Sequence, residues 1–255
     1  MVVLIEIKYP VYTIIINNPD VKNAVDGPTA KELADAFRKF ENDDKAEVAV
    51  LWGANRTFCS GANLKAITQG YGNKIEMNGD GPMGPTRMKL SKPVIAAVAG
   101  YAVAGGFELA IWCDLRVVEK DAIFGVFNRR FGVPLVDGGT VRLPRLIGLS
   151  RALDMILTGR PITAEEAYSW GIANRIVNNG QSRQEAEKLA RQIAKFPKIC
   201  MRNDRLSTYE QSGLSLEDAM VKEFEYGLKT IESGEYLKGS IAFTEGKGKH
   251  GSFNE

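Results

Sequence analysis

Glu108 stands just behind two glycines, Gly105 and Gly106, where an unbroken apolar run from Val94 to Val98 gives way, past Gly100, to a small-residue turn and a helical pattern. At a helix start the first backbone N–H groups lack intrahelical acceptors and the macrodipole favours negative charge, so the glycines leave bare amides where an oxyanion can sit. Glu108 reaches toward the same space. A purely structural account uses the same residues: a carboxylate that complements the helix dipole, and glycines that permit close packing. The stretch Thr57-Phe58-Cys59-Ser60-Gly61-Ala62-Asn63 is a second small-residue turn at which a ligand can approach backbone, hence a second candidate amide donor. The only histidine, His250, lies in a Gly/Lys-rich tail. That removes histidine triads and most transition-metal sites, and leaves carboxylates as the leading general acids or bases.

The elements that must position these turns read as alternating strands and helices. Residues 13–16 and 48–52 are predicted strands, separated by a helix with Ala30, Leu33, Phe37 and Phe40 on one face. The run from Val94 to Val98 is a strand covered on both faces, and residues 115–118 and 123–126 add two more. Strand, strand, helix in irregular repetition predicts an α/β protein of stacked ββα layers. Residues 66–86, rich in Gly, Pro and Asn, read as a long mobile loop. Within it Gly79-Asp80-Gly81-Pro82-Met83-Gly84 spells G-x-G-x-x-G, but Pro85 stands where a helix should open and no strand precedes it, which argues against a dinucleotide site. Further helices are expected over residues 151–158 and from the capping-box spelling at Thr163 to Trp170, with a strand at Arg175-Ile176-Val177 after them. Ala186, Leu189, Ala190, Ile193 and Phe196 make one apolar stripe; Ser215 caps another helix with Leu216, Met220, Phe224, Leu228 and Ile231 inward. The expected division is an α/β core over 1–197 and a helical region over 198–255, whose stripes a partner subunit often covers.

With 255 residues, 44% of them hydrophobic, the chain can bury a sizeable core. Its 33 Lys+Arg against 31 Asp+Glu create no global field for polyanions, so nucleic acid is not an expected partner. Cys59, Cys113 and Cys200 are far apart and form no C-x-x-C pair, which indicates neither a disulfide framework nor zinc. The N-terminal apolar run is too short for a signal or an anchor, so the expectation is a cytoplasmic protein with no membrane partner. Asn55-Arg56-Thr57 is then a glycosylation sequon in spelling only.

Four motifs occur in one order: Ile16-Asn17-Asn18-Pro19 with Asn23-Ala24; Phe58-Cys59-Ser60-Gly61-Ala62-Asn63-Leu64; Lys92-Pro93-Val94-Ile95-Ala96-Ala97-Val98 with Gly105-Gly106-Phe107-Glu108-Leu109-Ala110; and Gly138-Gly139-Thr140 with Arg142-Leu143-Pro144. By these the chain resembles the crotonase (enoyl-CoA hydratase/isomerase) superfamily over nearly its full length. The resemblance implies a crotonase-like spiral of ββα units with a C-terminal helical trimerisation region, assembled as a homotrimer or a dimer of trimers. It implies an acyl-CoA thioester as substrate, with no metal and no other cofactor. By position, the backbone N–H groups of Ala62 and Gly105 would form an oxyanion hole for the thioester oxygen and Glu108 would be one of two family carboxylates. Lys22, Ala24, Ser60, Ala62, Asn63, Leu64, Gly105 and Gly106 would bind substrate, with the loop over 66–86 lining the acyl pocket. The chemistry is coherent: moving a proton at the thioester α-carbon, or adding water across the conjugated double bond, puts charge on the thioester oxygen. One amide donor is typically worth about 3 kcal/mol to such charge.

The pattern also breaks. Alignment by Phe124-Gly125 and Gly132-Val133-Pro134 puts Asn128 where the resemblance implies a second glutamate. An amide can hold a water but cannot transfer a proton, and losing one general acid or base typically costs about 10²–10⁴-fold. Asp137 is the nearest substitute, although an N-cap or loop hydrogen bond ahead of Gly138-Gly139-Thr140 accounts for it without catalysis. Asn63 likewise replaces an aspartate common among relatives. Three readings follow: a hydratase-like lyase using Glu108 with a non-glutamate partner; a one-carboxylate isomerase in which Glu108 shuttles a proton between carbons; and a catalytically weak acyl-CoA- or RNA-binding scaffold, against which the near-neutral charge argues for the RNA case. Arg129, Arg130 and Lys22 read either as partners of CoA phosphates or as solvated charges, and Lys247 and Lys249 as contributors to a CoA site across a subunit boundary.

Overall fold

In the computed structural model, which describes residues 1–248, strands β1 (Val3–Lys8) and β2 (Val11–Ile16) form an antiparallel hairpin, and all six residues of β2 are buried. Helix α1 (Gly27–Glu41) starts where the Asp26 carboxylate accepts the Thr29 N–H, with Pro28 in the first turn, and it buries Ala30, Leu33, Phe37 and Phe40 on one face. Strand β3 (Val48–Gly53) then runs parallel to β2, with Ala49 beside Tyr12. After the short helix α2 (Leu64–Thr68), β4 (Val94–Val98) continues the sheet parallel to β3, and Ala99 to Val103 folds back as a second short strand, β5 (Tyr101–Val103), before α3 (Gly105–Trp112). β6 (Leu115–Glu119) and β7 (Ile123–Gly125) repeat the move ahead of α4 (Gly139–Ile147) and α5 (Leu149–Thr158). β8 (Ile162–Thr163), α6 (Ala164–Trp170), β9 (Arg175–Val177) and α7 (Ser182–Ile193) follow.

Two sheets result, in the orders β1-β2-β3-β4-β6-β9 and β5-β7-β8. The two middle turns, β4-β5-α3 and β6-β7-α4, each leave one strand in the first sheet and one short strand in the second, then a helix. The small-residue turn after β3 approaches the same pattern, since Cys59 bridges to Ala102 of β5. The central strands carry Val, Ile and Ala without polar alternation because both faces are covered. Phe37 meets Trp112 edge-on at 4.8 Å and Phe107 meets Phe124 at 6.0 Å, pinning α1 and α3 to the interior.

The chain divides into two compact units, Met1–Gln192 and a second that begins at Ile193, five residues before the expected division. In the second unit α8 (Lys198–Glu210), α9 (Leu216–Glu232) and α10 (Glu235–Thr244) tie to one another: the Glu235 carboxylate accepts the N–H groups of Ile199 and Cys200 at the start of α8, and Asn203 Nδ2 donates to Thr230 Oγ1 at 2.9 Å. Ser215 does cap α9, but the stripe expected to face inward does not. Leu216, Met220, Phe224, Leu228 and Ile231 are all exposed, Phe224 by 67%. Three helices cannot cover every apolar face among themselves.

Other differences are local. The sequence pattern shows neither the edge strand β1 nor β5, which lies within what reads as a simple turn. Pro144 hid α4, which tolerates it inside its nine residues. Cys59 and Cys113 are buried thiols and Cys200 is half-buried. Among the described residues no helix is long and apolar enough to cross a membrane. Lys249 and His250 lie outside the described residues.

Candidate active site

The two small-residue turns pack against each other. A methyl group on Gly61, whose φ is +99°, would come within 2.9 Å of Ala104 Cβ and 3.1 Å of Gly105 N. Ala104 itself sits at φ 53°, ψ −127°, a region unfavourable for a side chain, held there by its own N–H bond to Gly125 O and by the start of α3. Among the described residues neither the Ala62 N–H nor the Gly105 N–H has a protein acceptor. Both residues line a cavity of about 760 Å³, the size of a small-molecule site. Gly106 does not line it; its missing side chain instead lets the Cys59 carbonyl pass, since a methyl there would lie 2.1 Å from that oxygen. The Cys59 thiol is pushed up to about 12 by burial and stays protonated.

Glu108 is 2% exposed and lines the same cavity. Its Oε1 accepts the N–H of Asp137 at 2.9 Å and of Gly139 at 2.7 Å; Oε2 has no protein donor among the described residues. Gly139 must be glycine for this, because a methyl would stand 2.9 Å from that oxygen. Burial, then the charge of Asp137, push the Glu108 carboxyl up to about 7 against the lowering effect of the two backbone bonds. A carboxyl so placed can give or take a proton near neutral pH.

Asp137 is equally buried, but it is not the N-cap of α4; Gly138 occupies that position. Its Oδ1 accepts from Met83 N at 2.9 Å and from the Thr86 hydroxyl, both on the long loop. The glycine-rich spelling that mimics a nucleotide loop is the tight turn that makes this possible: Gly84 N donates to Gly81 O, and a side chain at Gly81 would collide with Thr86 and Asp137. Arg142 braces the arrangement, donating to Asp137 O and Thr86 O. Burial raises the Asp137 carboxyl, opposed first by the Thr86 hydroxyl.

Asn128 is buried in the turn over Phe127–Phe131, with Nδ2 donating to Val133 O at 2.7 Å and Oδ1 without a partner. Ser60 and Leu64 line the cavity. Lys22, Ala24 and Asn63 do not. Lys22 lies over the Tyr101 ring, Ala24 is packed away, and Asn63 caps α2 by accepting the Ala66 N–H. Arg129 and Arg130 are neither cavity-lining nor merely solvated: they donate to the carbonyls of Ile156 and Gly159 at the end of α5. Lys247 is exposed in the second unit. Sequence reasoning missed Met83, Thr86 and Asn73; their only signal was position in the long loop.

Two unpartnered amides and a buried carboxyl at neutral pKa thus face one apolar cavity, a set suited to stabilising charge on a carbonyl oxygen while moving a proton nearby. A family model described as enoyl-CoA hydratase/isomerase matches residues 6–251. A carnitinyl-CoA dehydratase of Proteus mirabilis is 34% identical over 241 residues, covering 92% of each chain. Among solved structures, an enoyl-CoA hydratase of Mycobacterium tuberculosis superposes with a TM-score of 0.91 at 34% identity, covering 96% of each chain. One from Bacillus anthracis gives 0.86 at 28% identity, again over 96% of each.

Proposed function

Because the chain belongs to the enoyl-CoA hydratase/isomerase family, we propose that it is an acyl-CoA lyase of the enoyl-CoA hydratase type in which Glu108 works with Asp137 in place of a second glutamate. The N–H groups of Ala62 and Gly105 receive the thioester oxygen as it gains charge. Glu108 Oε2 moves the proton at the α-carbon, and Asp137 supplies or collects the proton of the water at the β-carbon. The observation that carries this reading is the pair of carboxyls in one cavity wall, close enough that the charge of Asp137 raises Glu108. No step calls for a metal or another cofactor. The reading carries with it a cytoplasmic homotrimer or dimer of trimers, the exposed stripe of α9 being the kind of surface that assembly covers.

One observation favours the one-carboxylate isomerase instead. The amide group of Asn128 is spent on Val133 O, so the position of the second glutamate offers no proton. The test is a panel of crotonyl-CoA and a 3-enoyl-CoA with wild type, Asp137→Asn and Asn128→Glu. Under the lyase reading Asp137→Asn lowers crotonyl-CoA hydration about 10²–10⁴-fold. Retained hydration in that variant removes Asp137 from the reaction, whereas turnover of the 3-enoyl thioester alone, with no hydration by wild type, sinks the lyase reading in favour of the isomerase. Unchanged hydration in Asn128→Glu means that the missing glutamate is not what limits the rate.

A further inference from the structure

Asp137 belongs to the walls of two cavities. It lines the main one beside Glu108, and together with Val136 it also lines another of about 400 Å³, which Glu108 does not reach. This smaller cavity meets the protein surface at Arg87, Thr140 and Val141, which are exposed, and Thr86 and Arg142 complete its polar wall. Both arginines are held in place: Arg142 donates to Asp137 O at 2.8 Å and Thr86 O at 2.6 Å, and Arg87 to Glu76 O at 2.6 Å. Against the burial that raises the Asp137 carboxyl, their charges favour loss of its proton. Asp137 Oδ1 is engaged by Met83 N and the Thr86 hydroxyl. Oδ2 has no protein donor among the described residues and is not sealed from water-sized space, so it is the oxygen free to carry a proton.

The proposed hydration makes a demand that the main cavity alone meets poorly. Each turnover consumes one water: its oxygen bonds to the β-carbon, its proton passes to Asp137, and the α-carbon takes a proton from Glu108. Asp137 is left protonated and Glu108 ionised, so the proton on Asp137 must go to solvent, and another must reach Glu108, before the next turnover. A ligand that fills a cavity of this kind buries most of its own surface and blocks the mouth it entered by. Glu108 regains contact with solvent when product leaves, whereas Asp137 has a wall of its own on the smaller cavity. We infer that the smaller cavity is a water and proton passage, through which Asp137 exchanges with solvent while a thioester occupies the main cavity. This rests on the acyl-CoA lyase reading above and adds to it a route for the second substrate, water. Thr140 and Val141 then line the entrance of that route without touching the thioester.

Isotope wash-in separates exchange with the thioester in place from exchange after it has left. The full chain is given 3-hydroxybutyryl-CoA in water labelled with heavy oxygen, and two initial rates are followed by mass spectrometry. One is release of crotonyl-CoA; the other is appearance of label in the remaining 3-hydroxybutyryl-CoA, formed when bound crotonyl-CoA is rehydrated. In wild type, label should appear at least as fast as crotonyl-CoA is released. Thr140→Trp and Val141→Trp, which fill the entrance of the smaller cavity, should lose most of that label while KM for the thioester stays unchanged. If wild type gains label only after crotonyl-CoA has accumulated in solution, water does not exchange behind a bound thioester, and the inference is overturned while the lyase reading stands. Label that enters both tryptophan variants as fast as wild type also overturns it, since the water then comes by another way. If wild type eliminates no water from 3-hydroxybutyryl-CoA, the lyase reading falls and the passage with it. Should the tryptophan variants fail to fold, Thr140→Leu and Val141→Phe are judged by the same ratio.

Discussion

Replacing Glu108 with glutamine separates what the carboxyl does for the reaction from what its burial costs the fold. The two N–H groups on Oε1, from Asp137 and Gly139, can be accepted equally by an amide oxygen, so shape and framework bonds are kept. Burial first, and the charge of Asp137 second, move the Glu108 carboxyl from its ordinary 4.5 to about 7. Such a group is about 3 kcal/mol harder to ionise in the folded chain than in the unfolded one. Because the folded value is the higher one, the stability linked to Glu108 is fully present below pH 4.5 and is lost as pH rises through about 7. Glu108→Gln has no such loss. The unfolding free energy of the variant minus that of the wild type should therefore grow by about 3 kcal/mol between mildly acidic and mildly alkaline pH, while kcat/KM falls about 10²–10⁴-fold. Urea unfolding across that range at one protein concentration, with kinetics on the same samples, measures both. A stability difference that stays flat with pH refutes the ionisation penalty, and wild-type turnover refutes the role of the carboxyl.

Gly139→Ala places a methyl 2.9 Å from Glu108 Oε1 and 3.1 Å from its Cγ, so the acid must shift. A loss of about 10²-fold in kcat with native circular dichroism is expected, and unchanged kcat would show that the position of Glu108 is not critical. Thr86→Val removes the hydroxyl that holds the Asp137 carboxyl down against burial. The limb of the pH–rate profile due to Asp137 should move to higher pH, with stability lowered by about 1–3 kcal/mol in thermal or urea unfolding. Met220→Glu with Phe224→Glu charges the exposed stripe of α9; if the proposed trimer or dimer of trimers forms through it, sedimentation should change from oligomer to monomer. An unaltered sedimentation coefficient would count against the proposed assembly through this face.

What the amino-acid sequence makes legible here is what local chemistry decides. The apolar run at Val94, the glycines at the start of α3 and the Thr163 cap of α6 depend on neighbours within a few residues, and each lies where expected. Asp137 shows the limit. Of the N-cap or loop hydrogen bond expected for it, the cap falls to Gly138 and the loop bonds are made, but with Met83 and Thr86, 54 and 51 residues away, partners that only the folded loop brings up. Arg129 and Arg130 read in the sequence as partners of CoA phosphates or as solvated charges for the same reason, their carbonyl partners at the end of α5 lying 27 and 29 residues on. The stripe on α9 follows helical periodicity, but periodicity reports only that a face is apolar. What covers the face is a separate matter.

The tethering of Glu108 through one oxygen has a stereochemical corollary. With Oε1 engaged by two framework amides, the proposed departure and return of a proton would both use Oε2, and so the same side of a planar enolate. In the proposed reaction hydrogen is therefore taken and replaced on the same face of the substrate. A thioester deuterated stereospecifically at the α-carbon should exchange one of its two hydrogens and keep the other.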